Sequence, residues 1–212
     1  THKMVQSYEQ DGVVLIKGLF SEHIELLRRG VARNLQAPSR FGAENLKDGE
    51  AGRFFDDYCN WNRIDEFQEV IKTSDAAPVA AQLMKSKTVQ LFHDHVLVKE
   101  PGTSKSTPWH SDSPYYFIKG RQNVSFWTPL DPVREASLRL VAGSHKWPKQ
   151  ILPTRWLSDE SFYPNPEHYM PVPDPDQEGM RILEFEMEPG DAVAFHYRCL
   201  HGARGNHSTS RR

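Results

Sequence analysis

"TVQLFHDHVLVKE", residues 88–100, is where the chain changes character. It is rich in β-branched and aromatic residues, it carries two histidines two positions apart, and it reads as a β run. Upstream the pattern is mostly helical. Residues 4–12 form a short helix ending at Gly12, and 21–35 places Ile24, Leu27, Val31 and Leu35 on one helical face. "RIDEFQEVIK" (63–72) and "SDAAPVAAQLMKS" (74–86) read as two more helices, with Ser74 as a cap and Pro78 in the first turn. "VVLIKGLF" (13–20) is β-rich, and 37–53 reads as loop.

Downstream, "NVSFWTPL" (123–130), "SLRLVAG" (137–143), "MRILEFEME" (180–188) and "DAVAFHY" (191–197) are short strands separated by turn signals. Such spacing predicts a β-sandwich or barrel. The plan is a mainly β fold with N-terminal helices, in a single domain spanning 1–212: a helical part over about 1–87 and a barrel over 88–212. Residues 145–179 interrupt the barrel with seven prolines, which bar a central strand. Trp147, Trp156, Phe162, Tyr163 and Tyr169 are too many aromatics for a solvated linker, so this insert is expected to arch over the barrel mouth like a lid.

Composition narrows the partners. There are 26 basic and 28 acidic residues, a formal net charge of -2, which gives no electrostatic case for nucleic acid or an anionic membrane. No apolar run is long enough to span a bilayer. Two cysteines, Cys59 and Cys199, make no disulfide framework and suit a reducing, cytoplasmic setting. A small molecule is the expected partner. The chain stops at Arg211-Arg212 soon after a strand-like segment, so further residues are expected beyond it.

Two clusters compete for a metal. In "TPWHSDSPYY" (107–116), His110 and Asp112 stand two apart, and in an extended chain both would point to one side. His201, in "CLHGARGN", is the natural third ligand, beside glycines that allow close backbone approach. Two histidines and one carboxylate suit non-haem Fe(II), leaving positions open for O₂ and a bidentate cosubstrate. The rival is His93, His95 and Glu100, whose H-x-H-x₄-E spacing resembles the first motif of cupins; the downstream cupin pattern is missing.

At "TPWHSDSPYY", "NVSFWTPLDP", "LRLVAGSHKW" and "EPGDAVAFHYRCLHGARGNHSTSRR" the sequence resembles the phytanoyl-CoA dioxygenase family. The resemblance runs from "DGVVLIKGLF" to the end of the chain. It implies a double-stranded β-helix, or jelly-roll barrel, and an Fe(II)- and 2-oxoglutarate-dependent oxygenase. In that reading His110, Asp112 and His201 are the metal ligands and catalytic centre. An arginine about eleven residues past the distal histidine holds the far carboxylate of 2-oxoglutarate, which points to Arg212 with Arg211 as its neighbour. Trp127, Ser125 and Lys99 are expected near the cosubstrate, and Trp109, Tyr115 and Tyr116 near the substrate. The implied reaction hydroxylates a C–H bond with O₂ and releases succinate and CO₂. Asp112 occupies the place that a halogenase of this type keeps small. Ala203 stands where many members have Ser or Thr, and "REASLRL" lacks their usual Asn-Gly. A non-catalytic small-molecule-binding barrel is the alternative from another class. No basic cluster marks a site for coenzyme A, so the expected substrate is a small organic or natural-product molecule.

Overall fold

The computed structural model describes residues 1–134, 138–155 and 160–207. Helix α1 (His2–Asp11) ends at Gly12, whose left-handed φ of 74° lets its N–H donate to the Tyr8 carbonyl at 2.9 Å. A side chain at Gly12 would also collide with its neighbours: a Cβ would lie 2.4 Å from His145 Nδ1 and 2.5 Å from Cys199 Sγ. Strand β1 (Val13–Ile16) follows, then α2 (Ile24–Gln36), β2 (Ala43–Glu44), β3 (Phe54–Tyr58), α3 (Asp65–Thr73) and α4 (Ala76–Met84). The β-rich second half supplies β4 (His95–Lys99), β5 (Thr107–His110), β6 (Ser125–Trp127), β7 (Leu138–Val141), β8 (Ile182–Leu183), β9 (Ala192–Phe195) and β10 (His201–Ala203).

These strands form three antiparallel ladders, ordered β1-β9-β6, β5-β10-β7-β8 and β2-β3-β4. The first two face each other across the barrel core. Val13, Val193 and Phe195 from one sheet pack with Leu138 and Leu140 from the other, and Trp127 joins them. The outer face of β1-β9-β6 is covered by α1 and α4 through Tyr8, Val14, Ile16, Leu83 and Ala194. The third ladder turns Phe55, Val96 and Val98 toward α2 and α3, where Leu27, Val31 and Phe67 bury them. The alternation of strands then places Phe54, Asp56, Tyr58, His95, Leu97 and Lys99 together on its other face. The whole is a double-stranded β-helix barrel with its helices at the N-terminus, as the sequence predicts.

Several local expectations change. The β run at 88–100 pairs only over His95–Lys99; residues 88–94 form no ladder among the described residues. Asp75, not Ser74, caps α4, and Ser74 ends α3. β3 goes unrecognised in sequence because "FFDDY" does not alternate. Both of its faces are covered, and its two aspartates are each bound by specific donors. Asp57 accepts from Asn34 Nδ2 at 2.8 Å and from the Ser39 N–H at 2.7 Å, and Asp56 accepts from Asn45 Nδ2 at 2.6 Å.

The Pro-rich insert does two things. Ile151, Trp147, Met170 and Val172 pack with Val141 and Leu200 on the outer face of β5-β10-β7-β8. Its middle reaches the loop after β5: the Tyr163 hydroxyl donates to the Pro114 carbonyl at 2.8 Å, and Phe162 meets Tyr115 edge to face.

Candidate metal centre

β5 and β10 are adjacent antiparallel strands in which His110 and His201 are direct partners. Their ring centroids are 4.2 Å apart. Each ring is oriented by its own backbone two residues back: His110 Nδ1 lies 2.8 Å from the Pro108 carbonyl and His201 Nδ1 lies 2.9 Å from the Cys199 carbonyl. A carbonyl can only accept, so the proton of each ring sits on Nδ1 and the lone pair on Nε2. Both Nε2 atoms stand 3.6 Å from the same oxygen, Oδ1 of Asp112.

Asp112 reaches that position differently from the extended geometry expected. It leaves the strand in a right-handed turn, φ -73° and ψ -30°, and starts a short 3₁₀ turn over Ser113–Tyr115. The Asp112 and Ser113 N–H groups both donate to the Tyr197 carbonyl, at 2.9 and 3.0 Å, which locks the turn. The spacing of two therefore works through a turn, with Ser111 buried between the ligands.

Burial alone would raise the Asp112 carboxyl, but His201 and His110 hold it below the usual carboxylate range. Burial, reinforced by the adjacent His110, pushes His201 down to about 4. A divalent metal needs its imidazole ligands neutral and its carboxylate ionised, and His201 and Asp112 are held in those states. The ligand atoms of His110, Asp112 and His201 all lie within 4.8 Å of one another, and this is the one such group among the described residues. Imidazole and carboxylate donors at this count fit Fe(II) with open positions. Close strand approach around His201 depends on glycine, as expected: a Cβ on Gly202 would lie 3.0 Å from the Thr107 carbonyl, and one on Gly205 would lie 2.4 Å from that of Ser104.

The cupin-like set does not converge. His95 Nε2 is held by Asp56 at 3.0 Å, and the His93 ring lies against Phe92 and Tyr116. His196, close in sequence to His201, packs instead against His145 and Asn123.

The other expected site residues fall into three groups. Ser125 and Trp127 lie opposite Phe195 and Val193 on the inner face of β6, and the Phe195 ring centroid is 4.9 Å from that of His201. Lys99 is buried, 7% exposed, on the inner face of β4. Its ammonium donates to the Arg204 carbonyl at 3.2 Å and sits 4.5 Å over the Phe54 ring. Burial pushes it down to about 7, and no carboxylate pairs with it among the described residues. Tyr115 and Tyr116 follow the carboxylate. Tyr115 spends its hydroxyl on Thr154, donating to the carbonyl at 2.8 Å and accepting from the N–H at 2.9 Å. Tyr116 stacks on Tyr197 and meets His93. Trp109 is not brought to the metal face. Alternation along β5 points it opposite to His110, where it packs with the insert and lies 5.0 Å under the Arg139 guanidinium. Arg211, Arg212 and Trp156 lie outside the described residues.

The family model described as "Phytanoyl-CoA dioxygenase (PhyH)" matches residues 8–212. No curated protein sequence matches the chain. Among solved structures, the carbocyclase SnoK from nogalamycin biosynthesis, described as non-heme and alpha ketoglutarate dependent, matches with a TM-score of 0.77 at 20% identity, covering 100% of this chain and 80% of that one. The epimerase SnoN, in complex with Fe3+, alpha ketoglutarate and nogalamycin RO, matches with a TM-score of 0.74 at 20% identity, covering 100% and 79%. EctD from S. alaskensis, with 2-oxoglutarate and 5-hydroxyectoine, matches with a TM-score of 0.74 at 15% identity, covering 100% and 73%. At these identities the structural matches speak to the fold.

Proposed function

Since this chain belongs to the phytanoyl-CoA dioxygenase family and is an Fe(II)- and 2-oxoglutarate-dependent enzyme, we propose that it hydroxylates a C–H bond of a small organic or natural-product substrate, with His110, Asp112 and His201 as its iron ligands. The observation that carries the assignment is the convergence of two outward Nε2 lone pairs and one carboxylate oxygen within 4.8 Å. When bound, Fe(II) together with 2-oxoglutarate and O₂ supplies the oxidising power for C–H cleavage, with release of succinate and CO₂. The chain's own part is to hold, orient and exclude.

The Pro108 and Cys199 carbonyls keep both imidazoles in the ligating tautomer. The Asp112 turn, tied to the Tyr197 carbonyl, sets the carboxylate. Lys99 supplies a buried amine with no carboxylate partner among the described residues, suited to take up a proton against a carboxylate of the cosubstrate. Ser125 and Trp127, on the inner face of β6, are assigned to the cosubstrate side by resemblance. Arg212, with Arg211 beside it, is assigned by resemblance to the far carboxylate, for which a planar guanidinium fork is matched. Tyr116, beside Asp112, is assigned to the substrate side. Of the neighbouring structures, SnoN and EctD were solved with small organic molecules, which supports a small-molecule substrate here. Among the described residues no helix is long and apolar enough to cross a membrane.

The test is turnover of 2-oxoglutarate to succinate by the purified chain, with and without Fe(II). Succinate should form only with iron, and Asp112→Ala should abolish it. Arg212→Ala should weaken 2-oxoglutarate binding by about 30- to 1,000-fold, the equivalent of roughly 2–4 kcal/mol for a charge-assisted bidentate pair, while sparing the metal. Iron-independent succinate production by Asp112→Ala would overturn the reading.

A further inference from the structure

The "HDHVLVKE" histidines are not spare metal ligands, and their surroundings suggest another use. On the face of β3–β4 away from the helices, Tyr58 is the direct partner of His95. Around them lies a continuous set of rings. Phe41 stacks on Tyr58 at 5.1 Å, Tyr58 meets His95 edge to face at 5.6 Å, Phe92 meets His93 at 4.9 Å, and His93 meets Tyr116 at 5.1 Å. The set is partly open: Tyr58 is 38% and Phe92 39% exposed. It also adjoins the metal centre. Tyr116 stacks on Tyr197, whose carbonyl holds the Asp112 turn, and the Asp112 charge is felt at both His93 and Tyr116.

Within these rings, one group has a defined polarity. The Asp56 carboxylate accepts from His95 Nε2 at 3.0 Å, and its other oxygen accepts from Asn45. A carboxylate partner fixes the proton on Nε2. Nδ1 of His95 is then a lone-pair acceptor, with no hydrogen-bond partner among the described residues. A wall of ring faces with one placed acceptor is the usual make-up of a small-molecule subsite.

We infer that this wall is the substrate-recognition surface, and that it takes a flat ring bearing a hydroxyl, whose proton is donated to His95 Nδ1. The inference deepens the proposed function and rests on it for the word substrate; the binding itself needs no metal. His95 and Tyr58 are specificity residues, not ligands.

The experiment uses the full chain, metal-free, at pH 8, with two probes: p-cresol, and 4-methylanisole, which keeps the ring but has no donor. Saturation-transfer NMR titrations give both dissociation constants. Wild type should bind p-cresol at least threefold more tightly than 4-methylanisole. His95→Phe should erase that preference. Tyr58→Leu, at a half-open position that leaves the His95–Asp56 pair intact, should weaken both probes severalfold while the preference survives; it carries the test even if His95→Phe fails to fold. The inference is overturned if wild type shows no saturable transfer, if the preference persists in His95→Phe, or if Tyr58→Leu binds both probes as wild type does. Iron titration of the same samples separates the two readings, because a chain that binds iron and ignores the probes sinks only the wall.

Discussion

His110 and His201 face each other across the β5–β10 ladder, and the Nδ1–H of each donates a hydrogen bond to the carbonyl two residues behind it. The symmetry has a physical consequence. Neither ring needs a dedicated side chain to fix its tautomer, since strand backbone does it, and both Nε2 atoms are left 3.6 Å from one Asp112 oxygen. The centre is therefore built into the sheet register.

Burial of the Lys99 amine disfavours its charged form. Its ordinary value is near 10.4, and burial brings it down to about 7. A bound carboxylate favours the charged form and raises it again. Binding of 2-oxoglutarate to the iron-loaded chain at pH 8 should thus take up a fraction of a proton. Calorimetry in two buffers of different ionisation enthalpy measures this. Lys99→Met should abolish the uptake and weaken cosubstrate binding by about 10- to 100-fold, as for a charged hydrogen bond. Proton-neutral binding in wild type would remove Lys99 from the cosubstrate site.

Tyr115 ties the Pro-rich insert to the metal loop through both halves of its hydroxyl. Tyr115→Phe should cost roughly 1–2 kcal/mol locally and speed limited proteolysis within 145–179 severalfold. Substrate, iron and 2-oxoglutarate added together without O₂ should slow cleavage of the wild-type chain if the insert acts as a lid. Unchanged cleavage with all ligands present would leave it as a cover for the outer sheet face, where Ile151 and Trp147 already pack.

His196 is buried, and burial together with the neighbouring His145 pushes it down to about 4. The unfolded chain therefore binds its proton first. Its contribution to stability is complete above about pH 6.5 and is lost as pH falls toward about 4, up to roughly 3 kcal/mol in all. Urea unfolding of the metal-free chain across that window should show the loss, and His196→Gln should make it shallower by the His196 share, leaving that of His201. An equally steep profile in His196→Gln would place the sensitivity elsewhere.

The legible parts of the sequence were those with regular spacing. Ile24, Leu27 and Val31 announce α2 because one face of that helix is buried and the other wet. The order of strands announces the barrel, and the pairing of His110 and Asp112 with His201 announces the centre. What could not be read depends on contacts distant in sequence. β3 is hidden because Asp56 and Asp57 look exposed until His95, Asn34 and Ser39 arrive from elsewhere. Residues 88–94 have strand composition but no partner strand among the described residues. Trp109 reads as a pocket residue because it precedes His110, and that adjacency is the reason it points the other way. His93 and His95 look like ligands until Asp56 and Tyr116 are in place.

Anaerobic Fe(II) titration with quantified binding tests the central claim most directly. Wild type and the double variant His93→Ala/His95→Ala should each bind one Fe(II) per chain, while His110→Ala, Asp112→Ala and His201→Ala should each lose stoichiometric binding. Full iron binding by Asp112→Ala, or its loss in the His93/His95 double variant, would contradict the account.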